Sequence, residues 1–207
     1  MPRDKLEIVV ATKNRKKLGE IREILKGLDI KLISLDRYSR LPRVIENGFT
    51  FKENAAKKAM ILARFTGKLT MGEDSGLCVE ALDGRPGVYS SRFSGKNKSD
   101  FQNNLKVLRL LEGVPEKRRR AYYVSVVALA DKDGLIQVVE GKCYGRIGFE
   151  QRGTFGFGYD PVFVIPLYKK TFAELGPGIK HRMSHRFRAL EKARAVIQKY
   201  IERHNGS

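Results

Sequence analysis

Residues 72–77, GEDSGL, set two adjacent carboxylates, Glu73 and Asp74, beside the hydroxyl of Ser75. Hard carboxylate oxygens hold Mg²⁺ one or two at a time, with substrate phosphates filling out the shell. A carboxylate in such a site can also orient and deprotonate an attacking water. Taken alone, the same residues also suit a turn in which Asp and Ser bond their own backbone. Successive strand side chains face opposite ways, so one of the pair at most looks into a given cleft.

Three other segments depart from ordinary core or surface. Thr12-Lys13-Asn14-Arg15-Lys16-Lys17 follows an apolar run and precedes helical spacing. A loop feeding a helix N-terminus offers free N–H groups and a positive dipole end to an anion, and here Thr12, Asn14 and Lys17 add polar side chains. The alternative is that Asn14 caps the helix while the lysines are solvated. The glycines of a Walker loop are missing. Further on, Thr50-x-x-Glu53 has the pattern of a capping box. Glu46 precedes that helix in a loop, and Lys58 lies one turn further along it. Lastly, Gly153-Thr154-Phe155-Gly156-Phe157-Gly158-Tyr159-Asp160-Pro161 alternates glycine with aromatics. It suits a loop presenting an aromatic face to a base. Downstream lie Lys180, His185 and Arg186; the last two, in the first turn of a helix capped by Ser184, can donate to purine carbonyls or simply face water.

The elements that must position these groups alternate between strand and helix. Leu6–Ala11, Lys31–Leu35, Leu69–Met71, Cys78–Leu82, Ala121–Ala130, Leu135–Val139 and Val162–Ile165 are predicted strands. Leu18, Ile21, Ile24, Leu25 and Leu28 recur at helical spacing. Helices are also predicted from Thr50 to Gly67, from Ser99 to Gly113 and after Ser184. The turn 131–134 joins two strands as a hairpin. Hairpin and crossover connections together imply an α/β fold with a mixed sheet, as one domain over 1–207.

With 41 Lys+Arg against 23 Asp+Glu, the net charge is +18, which predicts an anionic partner without choosing among nucleic acid, a phosphorylated metabolite and an acidic surface. No apolar run approaches the ~18 residues of a membrane span. The N-terminus lacks the pattern of a signal peptide. Cys78 and Cys143 are far apart and without metal-ligand spacing, so they read as reduced and the protein as cytoplasmic.

Taken in order, ATKNRKKLGEI, FKENAAKKA, EDSGLCVEALDGRPGVYSSRFSG, RGTFGFGYDPVF and KHRMSHRFRAL resemble the inosine triphosphate pyrophosphatase family, which clears non-standard purine nucleoside triphosphates. The resemblance implies an elongated α/β fold, a mixed sheet flanked by helices with a cleft between two lobes, and usually a homodimer. It implies Mg²⁺-dependent hydrolysis of ITP, dITP and XTP to the monophosphate and pyrophosphate. It assigns the triphosphate to Thr12, Lys13, Asn14, Arg15, Lys16 and Lys17, with Lys58 and Ser75 also at the substrate. Glu46 and Asp74 match the metal ligands, and Asp74 also the general base. Phe157, Gly158, Tyr159 and Asp160 match a base-stacking loop; Lys180, His185 and Arg186 match purine-reading residues. The chain has Glu73-Asp74 where many relatives have Asp-Asp. Neither a membrane nor a stable nucleic-acid complex is expected. The rivals are a basic nucleic-acid-binding module, motivated by the charge and by Lys117–Arg120, and a pyrophosphatase for modified pyrimidine nucleotides.

Overall fold

A computed structural model describes residues 5–95 and 99–205. The strands are β1 (Leu6–Val10), β2 (Ile30–Ser34), β3 (Leu69–Val79), β4 (Arg120–Ala130), β5 (Leu135–Ile147), β6 (Phe163–Ile165) and β7 (Lys170–Thr171). They pair in the order β2-β1-β3-β4-β5-β6-β7. β1 runs parallel to both β2 and β3, whereas β6 is antiparallel to β5 and β7, so the sheet is mixed as expected. The helices are α1 (Arg15–Ile24), α2 (Phe51–Thr66), α3 (Asp100–Leu110), α4 (Phe172–Leu175), α5 (Pro177–Met183) and α6 (His185–Asn205).

The chain divides into two compact units, one of residues 1–74, 125–141 and 186–207, the other of 75–124 and 142–185. The first buries Ile8, Val10, Ile21, Met71, Leu129, Leu190 and Ile197 in one core. The second buries Leu77, Val107, Tyr123, Ile147, Phe163 and Phe172. Each core is filled by the apolar faces that helical and strand spacing predict.

Helix α2 shows how local sequence sets an element. Thr50 accepts from the Glu53 N–H at 3.1 Å, and Gly67, at φ 67°, ends the helix in the left-handed region. Glu53 completes only half of the expected box: its carboxylate accepts from Phe49 N–H, one residue before the cap. Gly72 of β3 lies against α2 so closely that a Cβ there would meet the Ala55 carbonyl oxygen at 2.2 Å. A side-chain-free position is what lets strand and helix make this contact.

Two expectations are corrected. GEDSGL is neither a turn nor a loop between two strands, because β3 runs unbroken from Leu69 to Val79. Its charges and glycines break the apolar pattern, but side chains distant in sequence satisfy them. Likewise β5 continues to Ile147, past Glu140-Gly141-Lys142, where the apolar alternation fades. The 131–134 hairpin turn is present, closed by Asp131 N–H on the Gly134 carbonyl at 3.0 Å.

Candidate active site

In the first unit, Glu73 and Asp74 diverge as the strand alternation requires. Glu73 is 2% exposed and faces α1, α6 and β4. Its Oε2 accepts from Lys17 Nζ at 2.8 Å, and its Oε1 from Ser125 Oγ at 2.9 Å and from Arg186 at 3.0 Å. The other side of the Arg186 guanidinium pairs with Glu20. Burial alone would raise the Glu73 carboxyl, but Arg186 and Lys17 outweigh it and hold the group well below the usual carboxylate range.

Asp74 instead faces α2. Lys58 Nζ donates to its Oδ1 at 3.3 Å and Asn54 Nδ2 to its Oδ2 at 3.2 Å. The Lys58 ammonium also reaches Glu46 Oε2 at 2.7 Å. Asn54 Oδ1 accepts from Gly48 N–H at 2.9 Å, which ties the loop carrying Glu46 to the same helix. Burial raises the Asp74 pKa, and Lys58 and Lys17 offset this only in part. Lys58 itself is shifted upward: burial would lower it, but Asp74 and Glu46 prevail.

The loop 12–14 lies between β1 and α1. Asn14 caps α1, its side chain accepting from Lys16 N–H at 3.0 Å and Lys17 N–H at 3.2 Å. Thr12 Oγ1 accepts from Asn14 N–H. Asn14 is thus the N-cap of α1, and the cap orients the first turn from which Lys17 reaches Glu73. Lys13, Arg15 and Lys16 are exposed.

Among the described residues, ion pairs link three cations (Lys17, Lys58, Arg186) and four carboxylates (Glu20, Glu46, Glu73, Asp74), a net of −1 for these seven groups. Mg²⁺ fits the donor set of Glu46 and Asp74: a cation already bridges them, the charge balance accepts more positive charge, and Mg²⁺ needs few protein carboxylates when phosphates join it. Among the described residues no three His, Cys, Asp or Glu side chains form a ready-made cage.

In the second unit, the glycine-aromatic loop is braced from beneath by Asp160. That carboxylate accepts from Lys180 Nζ at 2.6 Å, from Phe157 N–H at 2.9 Å and from Tyr123 Oη at 3.4 Å. The Lys180 ammonium also lies 4.4 Å from the centre of the Phe157 ring. Gly156, at φ 83°, leaves no room for a Cβ, which would meet Asp160 Oδ2 at 2.1 Å. Gly158 donates to Asp100 at 2.7 Å, and its carbonyl accepts from Asn104. Tyr159 does not lend its ring to an open aromatic face: it is core, donating to the Ser90 carbonyl at 2.8 Å. Phe157, half-buried, and Phe155, exposed, are the rings left to present such a face.

His185 stacks on Tyr123, centroids 4.5 Å apart and planes 11° from parallel. Lys180 and His185 thus gather with the loop in the second unit, whereas Arg186 belongs to the Glu20–Glu73 cluster of the first, 1% exposed. Ser75, half-buried, follows Asp74 on β3. Sequence reasoning missed Asn54, Ser125, Glu20 and Tyr123. Asn54 alone had a local signal, an amide one turn before Lys58 on the same helical face.

Fold and cluster define an α/β protein that sets a cationic loop beside a pair of divergent buried carboxylates. The sequence matches the model of the Ham1 family over residues 8–196, and the chain belongs to that family. It is 46% identical over 194 residues to the dITP/XTP pyrophosphatase of Desulforamulus reducens, covering 94% of this chain and 96% of that one. The dITP/XTP pyrophosphatase of Geobacter sulfurreducens is 48% identical over 88% of this chain and 92% of its own. Among solved structures, a HAM1 protein from Coxiella burnetii superposes with a TM-score of 0.86 at 42% identity, covering 94% of this chain and 99% of that one. A nucleoside-triphosphatase / dITP/XTP pyrophosphatase from Mycobacterium abscessus superposes at 0.75 with 40% identity, covering 91% and 97%.

Proposed function

We propose that the protein hydrolyses non-standard purine nucleoside triphosphates (ITP, dITP and XTP) to the monophosphate and pyrophosphate, and so cleanses the nucleotide pool. The observation that carries this reading is Asp74, a buried carboxylate held by Lys58 and Asn54 in a chain of the Ham1 family. Its relatives are named dITP/XTP pyrophosphatases.

The chain's own groups divide the work. A triphosphate carries about four negative charges, and stabilising them is most of what phosphoryl-transfer catalysis requires. Thr12, Lys13, Asn14, Arg15, Lys16 and Lys17 bind them, with Lys17 held ready by Glu73. Water attacks the α-phosphorus, its proton passes to Asp74, and the bond from the α-phosphorus to the bridging oxygen breaks to release pyrophosphate. Lys58 and Asn54, one on each carboxylate oxygen, hold Asp74 in a fixed orientation for that role. Glu46 and Asp74 would hold Mg²⁺, which supplies charge neutralisation at the phosphates and activation of the water. Phe157 offers the stacking face for the base, and Lys180 and Asp160 fix the loop that carries it. Donors suited to a 6-keto purine meet the 6-amino group of adenine as a mismatch.

Among the described residues no helix is long and apolar enough to cross a membrane. Cys78 and Cys143 are both buried thiols, which suits a reducing compartment and supports a cytoplasmic setting. We also propose a homodimer, on the family resemblance, to be checked by light scattering. A kinetic panel tests the substrate class: ITP, dITP and XTP should exceed ATP and dUTP in kcat/KM, and a preference for dUTP or a methylated pyrimidine triphosphate would overturn it.

A further inference from the structure

Lys58 occupies the position at which a cation is needed. Its ammonium lies 2.7 Å from Glu46 and 3.3 Å from Asp74, with the side chain only 10% exposed. Its stem is anchored by α2, which Gly72 presses against at Ala55 and Ala59. Asp74 keeps a second donor, Asn54, on its other oxygen, so its orientation does not rest on the lysine alone. Glu46 is different: it sits in the loop before α2, its side chain is 43% exposed, and among the described residues Lys58 is the cation paired with it.

A divalent ion entering between these carboxylates meets an ammonium already in contact with both. Like charges at that separation repel strongly in a partly buried site. The lysine must therefore leave, and a flexible four-carbon stem allows its charge to swing while the helix stays put. An incoming triphosphate provides the destination, since its phosphates are better partners for an ammonium than a carboxylate shared with a metal. We propose that Lys58 is an exchangeable counter-cation: in the nucleotide-free protein it holds Glu46 and Asp74 in place of the divalent ion, and the nucleotide's phosphates draw it off to open the site. Ion and nucleotide then assist each other's binding, reciprocally by linkage. The inference rests on the proposed role of Glu46 and Asp74 as the ion's ligands, and adds to it a competing cation within the chain.

Mn²⁺, a paramagnetic stand-in for Mg²⁺, tests this by electron paramagnetic resonance on the full chain without nucleotide. Lys58→Met removes the charge and keeps the stem; it should bind Mn²⁺ roughly tenfold more tightly than the wild type. Lys58→Arg, which keeps a cation, should stay close to the wild type. Lys58→Gln serves if Lys58→Met does not fold by circular dichroism, and carries the same expectation. Asp74→Asn should weaken Mn²⁺ binding. If Asp74→Asn weakens binding but the charge-free Lys58 variants bind no more tightly than the wild type, the ion site stands and the exchange is refuted. If Asp74→Asn also leaves Mn²⁺ affinity unchanged, the ligand assignment fails and the exchange falls with it.

Discussion

Glu73 gives its Oε2 to the Lys17 ammonium at 2.8 Å, so a carboxylate with a side chain 1% exposed fixes a lysine in the first turn of α1. The same carboxylate neutralises Arg186, and this double engagement explains how a strand carries two acidic residues in succession through the body of a basic protein. Removing one partner of a buried ion pair leaves the others uncompensated, which is costlier than never having built the pair.

Glu73→Gln should therefore destabilise the fold by about 3 kcal/mol, measured by urea denaturation. Glutamine keeps the shape but cannot satisfy two cations. If Glu73 holds Lys17 for phosphate binding, the variant should also raise KM for ITP, as should Lys17→Ala. An unchanged KM in Lys17→Ala would remove the loop from the site.

The pH dependence follows from the same carboxylate. Its folded pKa lies well below the ordinary value of 4.5, so the unfolded chain binds its proton more readily. The stabilisation is fully present above 4.5 and is lost as pH falls through the folded pKa. Thermal unfolding of the wild type should fall more steeply on acidification below 4.5 than that of Glu73→Gln. Parallel curves would mean that Glu73 is not the ion-paired group described.

Gly72→Ala forces a Cβ into the Ala55 carbonyl, backbone against backbone, with no flexible side chain to yield. The expected cost is about 3 kcal/mol, and kcat should drop about a hundredfold because Asp74, two residues on, shifts relative to Lys58 and Asn54. Wild-type stability and turnover in this variant would contradict the packing of β3 on α2.

Asp160→Asn takes the carboxylate from Lys180, 2.6 Å away and buried. Stability should fall by about 3 kcal/mol, and KM for ITP should rise more than kcat falls, since the loop positions the base and not the phosphates. Steady-state kinetics separate the two; a fall confined to kcat would place Asp160 in the chemistry instead.

These predictions rest on features that differ in how far the sequence discloses them. Helix α2 is legible almost to the residue because Thr50, Glu53 and Gly67 act on neighbours a few positions away. GEDSGL is not legible as strand, because what allows Glu73 inside β3 comes from Lys17, Ser125 and Arg186, tens of residues distant. Helices α4 and α5, of 4 and 7 residues, are too short to show a period. That Glu73 and Asp74 face opposite ways is expected from strand alternation, and Asp74 does meet α2 while Glu73 meets α1, β4 and α6. The placing of Arg186 is not expected: a positively charged residue at a helix start looks solvent-directed until Glu20 and Glu73 are seen on either side of it.

The most direct test of the central claim is hydrolysis of ITP with Mg²⁺ in ¹⁸O-labelled water, followed by ³¹P nuclear magnetic resonance. Attack at the α-phosphorus predicts inosine monophosphate carrying the label, with unlabelled pyrophosphate, and loss of both in a folded Asp74→Asn variant. Release of orthophosphate, or label in the pyrophosphate, would contradict the account.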